Sequence, residues 1–319
     1  MEYYPYTFRA DLREAGWGGS ALRSVCGKKC SARTRIAESG ELSEASVVDQ
    51  GPRKGDVLAK LVREDPEGIL GTAVCDRAHN RFPLAVRLLE ARAAAPLEVF
   101  APERPGDDGP PARTAAWYVI RAESGAQIRR GLLPGTEPGA FRDALAAGAE
   151  GSLLYGFAAR PGDVVFLPPG TVHSLGPGVL VYEVAQNSGI THRLRDPGRS
   201  AAPAKLARAL EDVDFRSMGM SRCEPVRVNP LPRRRDLLVK CERFALELFQ
   251  LRKRLEEDLQ GQRFVALTCV AGRAVLEHAG AGGPEVPLPA GRTALLPARL
   301  GMYTLAPDPE CTVIRATIE

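Results

Sequence analysis

The 319-residue chain carries 43 Lys+Arg against 39 Asp+Glu, a formal charge of +4, and is 44% hydrophobic and 26% charged. That composition excludes disordered and fibrous classes, and at roughly 150 residues per domain the length predicts about two domains, each with its own core. No window reaches the roughly 18 apolar residues of a membrane span, and Met1-Glu-Tyr-Tyr-Pro5 lacks the basic and apolar regions of a secretion signal, so the expectation is a cytoplasmic protein with no membrane partner. Of seven cysteines only Cys26 and Cys30 lie close together, without the CxxC spacing, and they read as reduced thiols, mostly packing residues. Acidic and basic residues are interspersed, which argues against nucleic acid, and Arg233-Arg234-Arg235, the one dense basic cluster, reads as a solvated linker.

In chain order, a first helical stretch is expected over 56–64, and an exposed turn-rich loop over 103–112. Strand-like runs follow at 117–120 and, after a helix over 137–147 with Pro138 in its first turn, at 163–167 and 179–184. A helix over 204–213 precedes a Pro- and Arg-rich boundary at 224–235. Further strands are expected at 264–270, 285–288 and 312–318, while 249–260 has helical spacing between two strands and is left open. With 32 glycines and 26 prolines punctuating short apolar runs, the fold class is all-β with inserted helices.

An internal repeat sharpens this reading. Residues 161–175 (Pro-Gly-Asp-Val-Val-Phe-Leu-Pro-Pro-Gly-Thr-Val-His-Ser-Leu) align with 290–304 (Ala-Gly-Arg-Thr-Ala-Leu-Leu-Pro-Ala-Arg-Leu-Gly-Met-Tyr-Thr), matching Gly162 to Gly291 and Pro168 to Pro297. Two copies of one β unit, each a small jelly-roll barrel, are implied. The division is an N-terminal barrel with helical insertions over 1–223 and a C-terminal barrel over 224–319.

The first copy is similar to the second cupin motif, G-x5-P-x-G-x2-H, at Gly162, Pro168, Gly170 and His173; the second copy has Arg299 and Met302 at the last two places. Across nearly its whole length the chain resembles the type I mannose-6-phosphate isomerases in their short bacterial form. The matching stretches include Trp17-Gly18-Gly19, Ala37-Glu38-Ser39, Phe82-Pro83-Leu84, Trp117-Tyr118-Val119-Ile120, Leu167 to Leu175, Glu183 to Gln186, Thr191-His192-Arg193 and Asp196-Pro-Gly-Arg199. The resemblance implies two cupin barrels and a zinc-dependent aldose–ketose isomerase acting on a hexose 6-phosphate, with the metal held by a Gln and a His of a Q-V-H-P strand, a Glu before a Trp-Tyr pair, and the cupin His.

Against that pattern Val99-Phe100-Ala101-Pro102 stands in the Q-V-H-P place and Ala115 in the Glu place, so His173 is the lone surviving ligand. A single imidazole holds no zinc against water, and no cofactor is expected, zinc being the cofactor if the family role is retained. Glu98 should point away from the interior if Val99 points in. The resemblance also implies Arg193 and His173 as catalytic groups and Arg87, Glu38, Ser39 and Gln186 as substrate contacts. Trp17 and Trp117 read as core residues, and His79, His192 and His278 as surface or packing residues.

Three functions follow as expectations: an isomerase-like protein that has lost zinc and catalysis yet still binds a sugar phosphate, an active isomerase with a rebuilt or metal-free site, or a scaffold with an empty pocket. The sequence carries no sign of an oligomeric state.

Overall fold

Gly162 and Gly291, the matched glycines of the repeat, both lie in the left-handed region, at φ 91° and 83°, where a Cβ is strained. Each turns the chain into a short strand, Val164–Leu167 and Thr293–Leu296. The repeat is therefore one backbone device used twice. The computed structural model describes residues 2–103, 112–187, 189–197, 203–216, 219, 222–278 and 285–318. Residues 104–111 of the expected loop, and Gly198 and Arg199 of the last matching stretch, lie outside these.

A six-stranded sheet runs in the order Asp11–Gly19, Ile36–Leu42, Leu84–Ala91, Val179–Gln186, Ala115–Ala122, Val164–Leu167, and a five-stranded sheet in the order Thr191–Arg195, Leu97–Phe100, His173–Leu175, Gln127–Leu132, Leu154–Ala158. Their facing sides enclose the core of the first barrel, around Phe100, Trp117, Val119, Ile128, Leu167 and Val181. The strands from Val226 onward form a nine-stranded sheet with Tyr6–Thr7, which pairs with Thr293–Leu296. It folds round its own core of Phe249, Leu267, Leu288, Tyr303 and Val313. This is the all-β, two-barrel cupin architecture expected.

The helices cover outer faces. Pro138–Ala147 starts on its proline, stops at left-handed Gly148, and buries Phe141 and Leu145, one turn apart, against the five-stranded sheet. Pro203–Glu211 contributes Leu206, Ala209 and Leu210 to the same layer. Leu58–Glu64 and Pro66–Leu70 pack into the core between the two barrels. No described helix is long and apolar enough to cross a membrane, and the seven cysteines are free.

One open stretch is settled and one reading is corrected. Residues 249–260 hold two strands, Ala245–Leu251 and Leu255–Asp258, because the bend at Arg252-Lys253 separates leucines that the helical spacing had joined. Arg233-Arg234-Arg235 is no linker but the start of the strand Arg233–Lys240. There Arg234 Nε donates to Asp236 at 2.8 Å and Arg235 Nε to Glu247 at 2.6 Å.

Between the barrels, Lys28 Nζ lies 2.5 Å from Glu41 Oε1 and donates to the Gly291 carbonyl at 2.6 Å, and Ser39 Oγ donates to the same Glu41 oxygen. Both charged groups are buried, so removing one strands the other. Lys28→Met should cost about 3–5 kcal/mol in denaturant unfolding, and Lys28→Met with Glu41→Leu should recover most of it; a single variant as stable as the parent would contradict this role.

Candidate functional site

The strand Leu97–Phe100 decides what surrounds His173. Leu97 and Val99 pack outward under the helices, with Leu132, Phe141 and Leu145, while Phe100 lies in the barrel core. By alternation Glu98 shares the face of Phe100; its Cα stands opposite both His173 and Arg193. The expectation that Val99 fills an inward ligand place and Glu98 points away is thus reversed. The proline matched to the motif, Pro102, lies beyond the strand's end, and a slip of one residue exchanges every inward and outward side chain. Ala101 follows the strand, its N–H donating to the Ile190 carbonyl. Ala115 does face the interior, beside Trp117.

His173 is 2% exposed. Its Nδ1 lies 2.8 Å from the Thr171 carbonyl, which fixes the N–H on Nδ1 and leaves Nε2 the lone pair. The Phe100 ring packs on the imidazole at 4.4 Å and Trp117 meets it edge-on at 5.4 Å. Burial, supported by the Arg113 and Arg87 guanidinia, pushes the imidazole down to about 4 against the Thr171 carbonyl and Glu183.

Deeper in the barrel, Glu183 is 1% exposed and fully engaged. Arg87 grips Oε1 through Nε at 2.8 Å and Nη2, Arg113 Nη2 approaches the same oxygen at 3.4 Å, and Trp117 Nε1 donates to Oε2 at 2.9 Å. Burial alone would raise the carboxyl; Arg87, Arg113 and the indole outweigh it and hold it down to about 2. Arg87 Nη1 also reaches Glu38 at 3.2 Å. Arg113 escaped the sequence reading. Its signal was its place two residues before the inward Ala115, just ahead of the strand Ala115–Ala122.

At the mouth, Arg193 is half-exposed and pairs with Glu98 and Asp196, each at 3.2 Å. Burial raises the Glu98 carboxyl, opposed by Arg87 and Arg193. A cleft of about 490 Å³ is lined by Arg9, Arg13, Glu38, Arg87 and Arg113; another, of about 810 Å³, by Arg13, Trp17, Glu38, Arg193 and Asp196. Trp17 is half-buried at this rim, whereas Trp117 is core. Arg193, Arg87, Glu38 and His173 are brought together. Ser39 points into the inter-barrel layer beside Glu41, and the Gln186 side chain accepts the Thr114 N–H rather than entering the cleft. His79 is exposed, His192 pairs with buried Asp212 at 3.0 Å, and His278 packs with both ring nitrogens unpartnered.

This donor set does not fit zinc. Among the described residues no three His, Cys, Asp or Glu side chains converge as metal ligands, Glu183 already serves two guanidinia and an indole, and Phe100 packs against the one imidazole.

The class defined by this architecture is the two-barrel cupin. Within it, the homologues and structural neighbours of the chain are mannose-6-phosphate isomerases. Mannose-6-phosphate isomerase ManA of Bacillus subtilis is 27% identical over 332 residues, 98% of this chain and 99% of that one. The mannose-6-phosphate isomerase of Streptococcus mutans is 30% identical over 200 residues, 60% of each. Among solved structures, the mannose 6-phosphate isomerase from Bacillus subtilis superposes with a TM-score of 0.83 at 24% identity over 99% of both chains. A mannose 6-phosphate isomerase bound with zinc and yttrium superposes at 0.73 with 13% identity, over 97% of this chain and 98% of that one. These two superpositions show the fold. No protein-family model matches the chain.

The two shifted groups make the first barrel acid-sensitive. A neutral buried His173 stabilises fully above the unfolded value near 6.5, and that contribution, about 3 kcal/mol, is lost as pH falls toward 4; the Glu183 contribution goes only between about 4.3 and 2. Melting curves of His173→Asn between pH 7 and 4 should decline less than those of the parent, and parallel declines would contradict the assignment.

Proposed function

We propose that the protein is a mannose-6-phosphate isomerase homologue that binds a hexose phosphate at the first barrel's mouth, without zinc and without isomerase turnover. The observation carrying this reading is the filled centre of the barrel: Phe100 on His173 and two arginines on Glu183. Moving a proton between C1 and C2 of an aldose needs a base at the carbon and an electrophile at the oxygen that becomes the enediolate. Here the imidazole is covered by two aromatic rings, and Arg87 together with one donor of Arg113 is committed to a carboxylate. The rim is different. Arg193 is half-exposed, and Arg9 makes no ion pair among the described residues, so guanidinium donors face the clefts where a phosphate would sit. The free thiols support a cytoplasmic location, and we take 1–223 and 224–319 as the two units.

One observation favours metal-free isomerisation as the second reading: the Glu98 carboxyl, raised by burial and placed between Arg193 and the His173 strand, has the character of a base. We rank it second because the electrophile is still lacking.

Elemental analysis of purified protein, a coupled assay with mannose 6-phosphate, and melting curves with fructose 6-phosphate in EDTA test the proposal. The expected result is zinc far below one per chain, no turnover, a ligand-dependent rise in Tm, and about tenfold weaker binding in Arg193→Ala. Stoichiometric zinc with turnover would overturn it; turnover in EDTA that is lost in Glu98→Gln would establish the second reading.

A further inference from the structure

Among the described residues, Arg113 is an inner cation that keeps most of its donors uncommitted. It lies before the strand Ala115–Ala122, its side chain is 14% exposed, and its Cζ stands 5.3 Å from the centre of the Phe100 ring, on which His173 packs. Among the described residues, Nη2 is engaged with Glu183 at 3.4 Å. Nε is buried without an acceptor. The same side chain lines the 490 Å³ cleft. One guanidinium thus touches the buried carboxylate, the aromatic ring beside His173 and the ligand-sized opening.

The second barrel repeats the device independently. There Glu247 is clasped from both sides, by Arg235 Nε at 2.6 Å and Arg315 Nε at 2.7 Å. Both guanidinia lie over one ring, Phe249, with Cζ 5.9 and 4.9 Å from its centre. That barrel has Met302 where the first has His173. A carboxylate held between two arginines above a phenylalanine therefore closes a barrel of this chain that has no histidine at the place matching His173.

We propose that Arg113 stands in the first barrel for a metal ion, neutralising Glu183 and offering its remaining N–H donors to an oxygen of a ligand in the cleft. A guanidinium suits the first task because it stays charged in an apolar setting where an ammonium would shed its proton. It suits the second because its fork gives directed donors to a hydroxyl, carbonyl or phosphoryl oxygen. It supplies no Lewis acid, which is why binding is retained in this account and turnover is not. The ligand half of the inference rests on the hexose-phosphate reading above; the neutralisation half does not.

Two experiments separate those halves. In the absence of ligand, the melting temperatures of the parent, Arg113→Gln, Glu183→Gln and the double variant form a cycle. Each single change should lower Tm and the double change should cost clearly less than their sum, with EDTA and added zinc leaving the parent unmoved. Additive losses, or a parent stabilised by zinc, would overturn the stand-in role. Calorimetric titration with fructose 6-phosphate in EDTA reads the other half. Arg113→Gln should bind at least tenfold more weakly, and Arg315→Gln, the second-barrel counterpart, as the parent does. Equal losses in both variants, or none in Arg113→Gln, would overturn the ligand contact. A parent that binds no fructose 6-phosphate defeats the hexose-phosphate reading while the melting cycle still decides the neutralisation. Should Arg113→Gln fail to fold, Arg113→Lys keeps a long basic side chain without the fork and should fold with the same weakened titration.

Discussion

A carboxylate with no access to water is the constraint around which the first barrel is arranged. Left alone, Glu183 would cost several kcal/mol or take up a proton. The sequence places Arg87 on the neighbouring strand, Arg113 before the other neighbouring strand, and the Trp117 indole within reach. Glu38 then partners Arg87, and the chain of charges runs outward to the rim through Glu98, Arg193 and Asp196. Glu183 is balanced by the arginines around it, and at the surface Arg9 makes no ion pair among the described residues.

On the proposed reading, this balance is why fold and chemistry part company. The jelly-roll needs alternation, positive-φ glycines and apolar layers, and these are intact in both barrels. The family's reaction needs lone pairs converging on one point. Phe100 and Ala115 offer none, and Glu183 already has its full set of donors. A backbone can superpose closely on a set of isomerases while the electronic character at its centre is different.

Much of the fold was legible in residues. The Gly162/Gly291 repeat, the proline-led helix at Pro138 and the inward Ala115 follow from local rules of turn, cap and alternation. What escaped depended on register or on distance. A one-residue slip on four-residue Leu97–Phe100 inverted Glu98 and Val99, since so short a strand carries too few side chains to fix its own phase. Glu38-Ser39 read as one pocket pair, yet neighbouring strand residues face opposite ways, and Ser39 serves the inter-barrel layer instead. Gln186 lies at a strand end, where its amide goes to the Thr114 backbone. Arg113 joins Glu183 across 70 positions, a pairing no local pattern announces.

The account stands or falls on whether the space beside His173 accepts a metal ion. Titration of zinc into chelator-stripped protein, followed by calorimetry alongside His173→Asn, addresses this directly. The account predicts no saturable one-to-one heat and traces that do not distinguish the two proteins. Tight stoichiometric binding that disappears in His173→Asn would contradict it.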